Sequence, residues 1–253
     1  MPSPSLTHAR VLVAGGSRGI GLAIAHAFAE AGAHISICAR DPQVLQQAGI
    51  ALKNAGAGAA HTQPCDLADP VQIQHWVDTA ASALGGVDIV INNASGYGNG
   101  NDDASWQAGF DIDLMAAVRT NRAALPHLRN SAIPAILNIS SINALVPTPR
   151  AAAYSAAKAA LNYYTTSLAT ELAHERIRVN AIAPGSIEFP GGLWDRRRSE
   201  EPALYAQIRA RIPFGGFGQV DDVARAAVFL CSPAARWITG QVLAVDGGQS
   251  LPV

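Results

Sequence analysis

The sequence predicts an α/β protein: one doubly wound parallel sheet of about seven strands with helices on both faces. Three observations carry this. Short apolar, β-prone runs alternate with longer segments whose apolar residues recur at helical spacing. The runs are apolar almost without interruption, which suits strands buried on both faces. A glycine-rich loop follows the first run directly and opens a helix, the place where such sheets bind ligands.

Taken in order, strands are expected at 11–14, 34–39, 59–65, 87–91, 134–140, 178–183 and 242–245. Helices are expected at 19–31, 42–55, 70–84, 103–128, 152–174 and 220–230. Leu22, Ile24, Ala25 and Phe28 mark the apolar face of the first. Asp41 reads as an N-cap with Pro42 behind it at the first helical position. Right-handed crossovers then place the chemistry in the loops after each strand.

The 253 residues are 49% hydrophobic and 15% charged, with a formal net charge of −1. No linker-like tract divides them, so 1–253 reads as a single domain, with 1–8 a flexible lead-in and 186–212 a mobile substrate lid. The charge balance gives no reason to expect nucleic acid or an anionic membrane as partner. The run Arg196, Arg197, Arg198 is followed by acids and reads as a solvated helix face. Cys38, Cys65 and Cys231 are far apart and odd in number, which argues for a reducing compartment. The first ten residues lack a signal peptide's apolar run, and no stretch approaches the roughly 20 apolar residues of a membrane span. A cytoplasmic protein is expected. The histidines have no ligand spacing, so no metal is expected.

The loop after the first strand reads Gly15-Gly16-Ser17-Arg18-Gly19-Ile20-Gly21. Its glycines permit close backbone approach to a pyrophosphate, and the helix that follows offers free N–H groups. The second strand ends in Ala39 rather than an acid, then Arg40. Two guanidiniums, Arg18 and Arg40, suit a ribose 2′-phosphate, so NADP(H) is the expected cofactor.

Tyr154 and Lys158 lie one helical turn apart, on one face. An ammonium beside a phenol favours phenolate, which turns Tyr154 into a usable acid for reduction or base for oxidation. A buried strand ends at Ser140 and Ser141, where the Ser141 hydroxyl can hold a substrate oxygen against the phenol.

With these residues in place, the sequence resembles the classical short-chain dehydrogenase/reductase family, of the 3-oxoacyl-carrier-protein reductase-like type. The resemblance runs from about Ala9 to the C-terminus through the glycine loop, Cys65-Asp66-Leu67, Asn92-Asn93-Ala94, Ser141, Tyr154, Lys158, Pro184-Gly185, Ile238-Thr239-Gly240-Gln241 and Val245-Asp246-Gly247-Gly248. It implies a Rossmann-type fold and an NADP(H)-dependent interconversion of a small-molecule carbonyl and its alcohol. It assigns Asp66, with Leu67 beside it, to the adenine, and Asn93, Ala94 and Ser95 to the sheet end beside the cofactor. Lys158 falls to the nicotinamide ribose, and Pro184, Gly185 and Ile187 to the nicotinamide. It also implies a homotetramer, or a dimer, with helices 103–128 and 152–174 at one interface.

The sequence departs from the family pattern at three points. Asp113 stands where the family usually has an Asn completing a catalytic tetrad through a water relay; Asp113 is expected to keep the relay and shift its pH dependence. Ser95 replaces a usual Gly. Phe189 replaces a frequent Thr and, with Trp194, reads as an apolar lid over substrate; Tyr97, Asn143, Leu145 and Val146 complete the expected substrate set, suited to a mostly apolar ketone or a hydroxyl-bearing lipid-like molecule. A G-x-S-x-G nucleophile elbow is absent, which argues against a hydrolase. Short length and the glycine spacing argue against a dehydratase or epimerase on the extended scaffold. The alternative from another class is a non-catalytic NADP(H)-binding regulator on the same fold.

Overall fold

The computed structural model describes residues 6–96, 100–148 and 151–251. The first half is a regular alternation: β1 (Arg10–Ala14), α1 (Gly19–Glu30), β2 (His34–Ala39), α2 (Pro42–Asn54), β3 (Ala59–Pro64), α3 (Pro70–Leu84) and β4 (Ile89–Asn92). Then come α4 (Asp103–Ala108), a π-helical segment (Gly109–Met115), α5 (Ala116–Leu128), β5 (Ala135–Ile139), α6 (Ala152–Leu172) and β6 (Arg178–Pro184). The chain closes with β7 (Ile187–Glu188), α7 (Leu193–Glu200), α8 (Pro202–Ala210), β8 (Gly218–Gln219), α9 (Val220–Cys231) and β9 (Val242–Val245).

The main sheet has seven strands in the order β3-β2-β1-β4-β5-β6-β9, all parallel. The order reverses at β1, so the loops after β1 and β4 part there and open a crevice. Side chains alternate along each strand. Val11 and Val13 enter one core with Ile24 and Phe28 of α1 and Leu230 of α9. Leu12 and Ala14 enter the other, with Trp76 of α3, Leu128 of α5 and Leu172 of α6. Burial on both sides is why the strands read as apolar runs. Trp76 is fully buried, and its indole N–H donates to Ser36 Oγ at 3.0 Å, so the one polar atom of that ring is satisfied.

Asp41 caps α2 as expected, its Oδ1 accepting the N–H groups of Gln43 and Val44. Asp69 does the same for α3. The lead-in is anchored earlier than the sequence suggests. Leu6 is buried in the first core, and the His8 N–H donates to the Gly32 carbonyl, so the flexible reading of 1–8 does not hold from Leu6 onward.

The helix expected over 103–128 is continuous in direction but irregular inside. Its middle is wound as π-helix, whose wider turns change which side chains face α6. The segment 186–212, expected as a mobile lid, carries regular structure. Its helices α7 and α8 gather around Phe217, which lies 4.7 Å from Trp194 and 4.8 Å from Tyr205 between ring centroids. The parallel pair β7–β8 ties the base of the lid to the start of α9. Arg197 lies over Trp194, and Arg198 pairs with Glu188 and lies over Tyr205. Two of the three arginines therefore pack the lid, and Arg196 alone fits the solvated-face reading. No helix among the described residues is long and apolar enough to cross a membrane.

Candidate active site

The carboxyl ends of β1, β2, β4, β5 and β6 open into one cleft of about 750 Å³. At one end lies the glycine loop. Gly15 and Gly19 have φ of +73° and +55°, a region L side chains rarely adopt. Gly21 is needed for another reason: a Cβ there would lie 2.2 Å from the Gly15 carbonyl oxygen and 2.4 Å from Asn93 Nδ2. Asn93 in turn donates to that carbonyl at 2.8 Å and fixes the loop. Arg18, the N-cap of α1, makes no side-chain cap, and the first turn holds no acid. The leading N–H groups of α1 therefore face the cleft without a side-chain partner at the cap.

At the other end stand Ser141, Tyr154 and Lys158. Ser141 follows β5, and its Oγ accepts the Asn143 N–H at 3.1 Å, which leaves the hydroxyl proton to point elsewhere. The Tyr154 phenol hydrogen-bonds to Ser141, which lowers its pKa somewhat; burial, and then the charge of Asp113, push it up more strongly, to a net value above the usual tyrosine range. Lys158 lies with Nζ 5.7 Å from the Tyr154 ring centroid. It donates to the Ile139 carbonyl at 2.8 Å and pairs with Asp113 Oδ1 at 3.1 Å. Asp113 Oδ2 accepts the Gly96 N–H at 3.0 Å. A void of about 10 Å³ lies beside Asp113, Lys158 and Asn92. That is about the size of one water, and Asn92 Oδ1, buried there, has no partner among the described residues.

A glycine-clasped helix N-terminus lies at one end of the cleft and Ser-Tyr-Lys at the other, and the chain is similar to known proteins over nearly its whole length. The family model described as enoyl-(acyl carrier protein) reductase, of the short-chain alcohol dehydrogenase type, matches residues 14–250. Isoepoxydon dehydrogenase of Aspergillus clavatus is 36% identical over 248 residues, covering 96% of this chain and 95% of that protein. The 3β-hydroxysteroid dehydrogenase 1 of Eggerthella lenta is 35% identical, covering 95% and 93%. The structure of L-sorbose reductase from Gluconobacter frateurii, solved with NADPH and L-sorbose, superposes with a TM-score of 0.89 at 32% identity, covering 98% and 100%. The chain belongs to the short-chain dehydrogenase/reductase family. It is an oxidoreductase of the alcohol–carbonyl class.

Seen as a short-chain dehydrogenase/reductase, the cleft gathers nearly every residue singled out from sequence. Gly15, Ser17, Arg18, Gly19, Ile20, Arg40, Asp66, Leu67, Asn93, Ala94 and Ser95 line it, as do Pro184, Gly185, Ile187, Phe189 and Trp194. Gly21 lies behind the loop rather than in the cleft. Asp113 also lies behind, against Lys158. Asn143 serves through its backbone and does not line the cleft, nor do Leu145 and Val146. Tyr97 lies outside the described residues. Phe189 departs from its expected role: its ring lies on the glycine loop, so close that a Cβ on Gly19 would come within 2.8 Å of it.

Sequence reasoning missed Gly96, Ala108, Ile112 and Leu193, which line the substrate end. Gly96 carried no signal in the sequence: a Cβ there would lie 2.7 Å from the Ala108 carbonyl. That clash is visible only once α4 is placed. Cys38, Cys65 and Cys231 are free and buried. Among the described residues no cluster of three or more His, Cys, Asp or Glu is placed to hold a metal.

Proposed function

We propose that the chain is an NADP(H)-dependent oxidoreductase that interconverts a ketone and its secondary alcohol by hydride transfer, with Tyr154 as general acid/base. The observation that carries this reading is the Tyr154–Ser141 hydrogen bond beside Lys158, in one cleft with an uncapped helix N-terminus.

The residues fit a dinucleotide. The glycine loop leaves a cradle that side chains would fill, and the N–H groups of α1 suit a pyrophosphate. Arg18 and Arg40 are exposed, line the cleft and make no ion pair among the described residues, which suits a 2′-phosphate. Asp41, the rival for a ribose hydroxyl, is engaged as an N-cap. Asp66 and Leu67 would hold the adenine, and Pro184, Gly185 and Ile187, with Ala94 and Ser95, the nicotinamide; all seven line the cleft. The L-sorbose reductase solved with NADPH supports the same choice.

When bound, the nicotinamide supplies or accepts the hydride. Ser141 holds the substrate oxygen, Tyr154 gives it a proton in reduction and takes one in oxidation, and Lys158 orients the ribose. Beyond Tyr154 the walls are Ala108, Ile112, Leu193 and Trp194, which favour a mostly apolar ketone. The isoepoxydon and hydroxysteroid dehydrogenases support an alcohol–ketone pair. The same reading makes the protein a cytoplasmic homotetramer, or a dimer, with α5 and α6 at one interface; its mass in solution tests that part.

The test is NADPH consumption against ketones, β-ketoesters and quinones, with NADH in parallel. Turnover with NADPH that is lost in Tyr154→Phe supports the reading. Replacing either Arg18 or Arg40 with Ala should cut the preference for NADPH over NADH about 10–100-fold, since each guanidinium–phosphate bond is worth about 1.5–3 kcal/mol. A wild-type preference for NADH, or NADPH binding without turnover of any carbonyl, would overturn it.

A further inference from the structure

Asp113 and Lys158 are among the most buried charged side chains of the protein, exposed by 0% and 3%. Both neighbours of the Asp113 carboxylate are donors: Lys158 at 3.1 Å on one oxygen and the Gly96 N–H at 3.0 Å on the other. An ionised carboxylate pairs with the ammonium through Oδ1, which makes no hydrogen bond among the described residues, and accepts the Gly96 N–H through Oδ2. An amide at this position accepts through one atom only and turns its own N–H bonds on the other donor. The pocket therefore selects a negative charge, and it sets that charge against the ammonium nearest to Tyr154.

Among the described residues, few ionisable groups face the phenol. Its own helix, α6, brings Lys158, and the π-helical segment brings Asp113. The end of β5 brings the Ser141 hydroxyl, and the loop after β4 brings Ser95 and Gly96. The lid contributes Phe189, Leu193 and Trp194, without charge. The other charged residues lining the cleft, Arg18, Arg40, Asp41 and Asp66, follow β1, β2 and β3, on the far side of β4 from β5. Burial pushes the phenol up, Asp113 pushes it further, and the Ser141 bond recovers only part.

We infer that Asp113 cancels the charge of Lys158 beside Tyr154, leaves the phenol a proton donor rather than a phenolate, and so sets the site for carbonyl reduction. This rests on the carbonyl–alcohol reading above. In that direction the carbonyl carbon receives a hydride and its electron pair from reduced nicotinamide, and the carbonyl oxygen receives the Tyr154 proton. The phenolate left behind is reprotonated from solvent. Alcohol oxidation needs the phenolate at the outset, and a cancelled lysine does not supply it at neutral pH. Asp113 is thus a positioning residue that works through Lys158.

The first test needs no substrate. Tyrosinate ultraviolet absorbance is titrated in wild-type protein and in Tyr154→Phe, and the difference reports Tyr154 alone. The expected result is no Tyr154 step below about pH 10, the ordinary tyrosine value. A wild-type step near or below about pH 8 overturns the inference. The same titration in Asp113→Asn should move the step down by about one unit or more; an unmoved step overturns it. In turnover, Asp113→Asn should raise alcohol oxidation relative to carbonyl reduction at neutral pH about tenfold, while Asp113→Glu, which keeps the charge, should retain the wild-type pH limbs. Equal shifts in the Asn and Glu variants mean a structural role only and overturn the inference. If Asp113→Asn does not fold, the wild-type titration decides alone. A failed carbonyl panel sinks the proposed function instead, because the titration is independent of it.

Discussion

Replacing Gly21 with Ala tests whether space or helix propensity rules the glycine loop. Gly21 lies in the first turn of α1 with an ordinary negative φ, so Ala carries no backbone penalty there. On propensity alone the change should stabilise the helix by about 1 kcal/mol. The structure opposes that gain, because the new Cβ would sit 2.2 Å from the Gly15 carbonyl oxygen and 2.4 Å from Asn93 Nδ2. One neighbour is backbone, and the other is held by its own 2.8 Å bond to that same carbonyl. Relief requires the loop to move outward and the Asn93 bond to lengthen. Overpacking of this kind costs about 1–3 kcal/mol, and leaving a half-buried amide and carbonyl unpaired adds about 1–3 kcal/mol. After the propensity gain, the net loss is about 3 kcal/mol. At roughly 2–4 °C per kcal/mol for a chain of this size, Tm should fall about 6–12 °C. Thermal melting reads the stability, and quenching of intrinsic fluorescence by NADPH reads the loop; affinity should weaken at least about tenfold, because the displaced amides no longer converge on the pyrophosphate. An unchanged or raised Tm with unchanged NADPH affinity would refute the steric argument.

Two further outcomes are expected. Asp88 is buried, which raises its pKa, but bonds from Arg10 at 2.6–2.8 Å and from Ser131 at 2.6 Å outweigh that and hold it below the usual carboxylate value. Its folded value is depressed, so its contribution to stability is present above the unfolded value of about 3.9 and is lost as pH falls through the folded one. Asp88→Asn should therefore lose about 2–3 kcal/mol at pH 7, and urea melts of the two proteins should converge as pH falls through the depressed folded value; a gap that does not narrow in acid contradicts this. Phe189 is half-buried with its ring on Gly19, so Phe189→Ala should weaken lid closure by about 1–1.5 kcal/mol, half the value of a fully buried Phe. Stopped-flow release of NADPH should quicken roughly 5–10-fold; a change confined to the KM of the carbonyl would instead make Phe189 a substrate residue.

The sheet was legible because burial on both faces leaves a continuous apolar run, as in Val11, Leu12 and Val13, and because Asp41-Pro42 and Asp69-Pro70 punctuate the helices. The chemistry was legible where side chains carry it: Tyr154 and Lys158 announce their shared face by spacing alone. What escaped was carried by backbone or by packing. The π-helical segment keeps apolar residues close to α-helical spacing, so nothing in 109–115 distinguishes it from its flanks. The lid helices read as loop because α7 is polar nearly all round and both are short. Phe189 was legible as an aromatic in the lid, but its place on Gly19 depends on how β7 and β8 pair across a long separation.

Those hidden features connect what the sequence presents as separate motifs. Asn93 ties the glycine loop to the end of β4, and three residues later Gly96 ties the loop after β4 to Asp113. Asp113 holds Lys158, and Lys158 holds the Ile139 carbonyl at the end of the strand that carries Ser141. Each link is a buried or half-buried bond of 2.8–3.1 Å, so a shift at one end has few ways to be absorbed in between. The π winding carries this chain, because it buries Asp113 beside Gly96 while α5 keeps its own face on the core. The glycine loop and Tyr154 should therefore respond together through Asp113. A substitution at Gly96 that leaves both ends untouched should disturb dinucleotide affinity and the Tyr154 titration together; if only one moved, the two ends would be independent and the coupling absent.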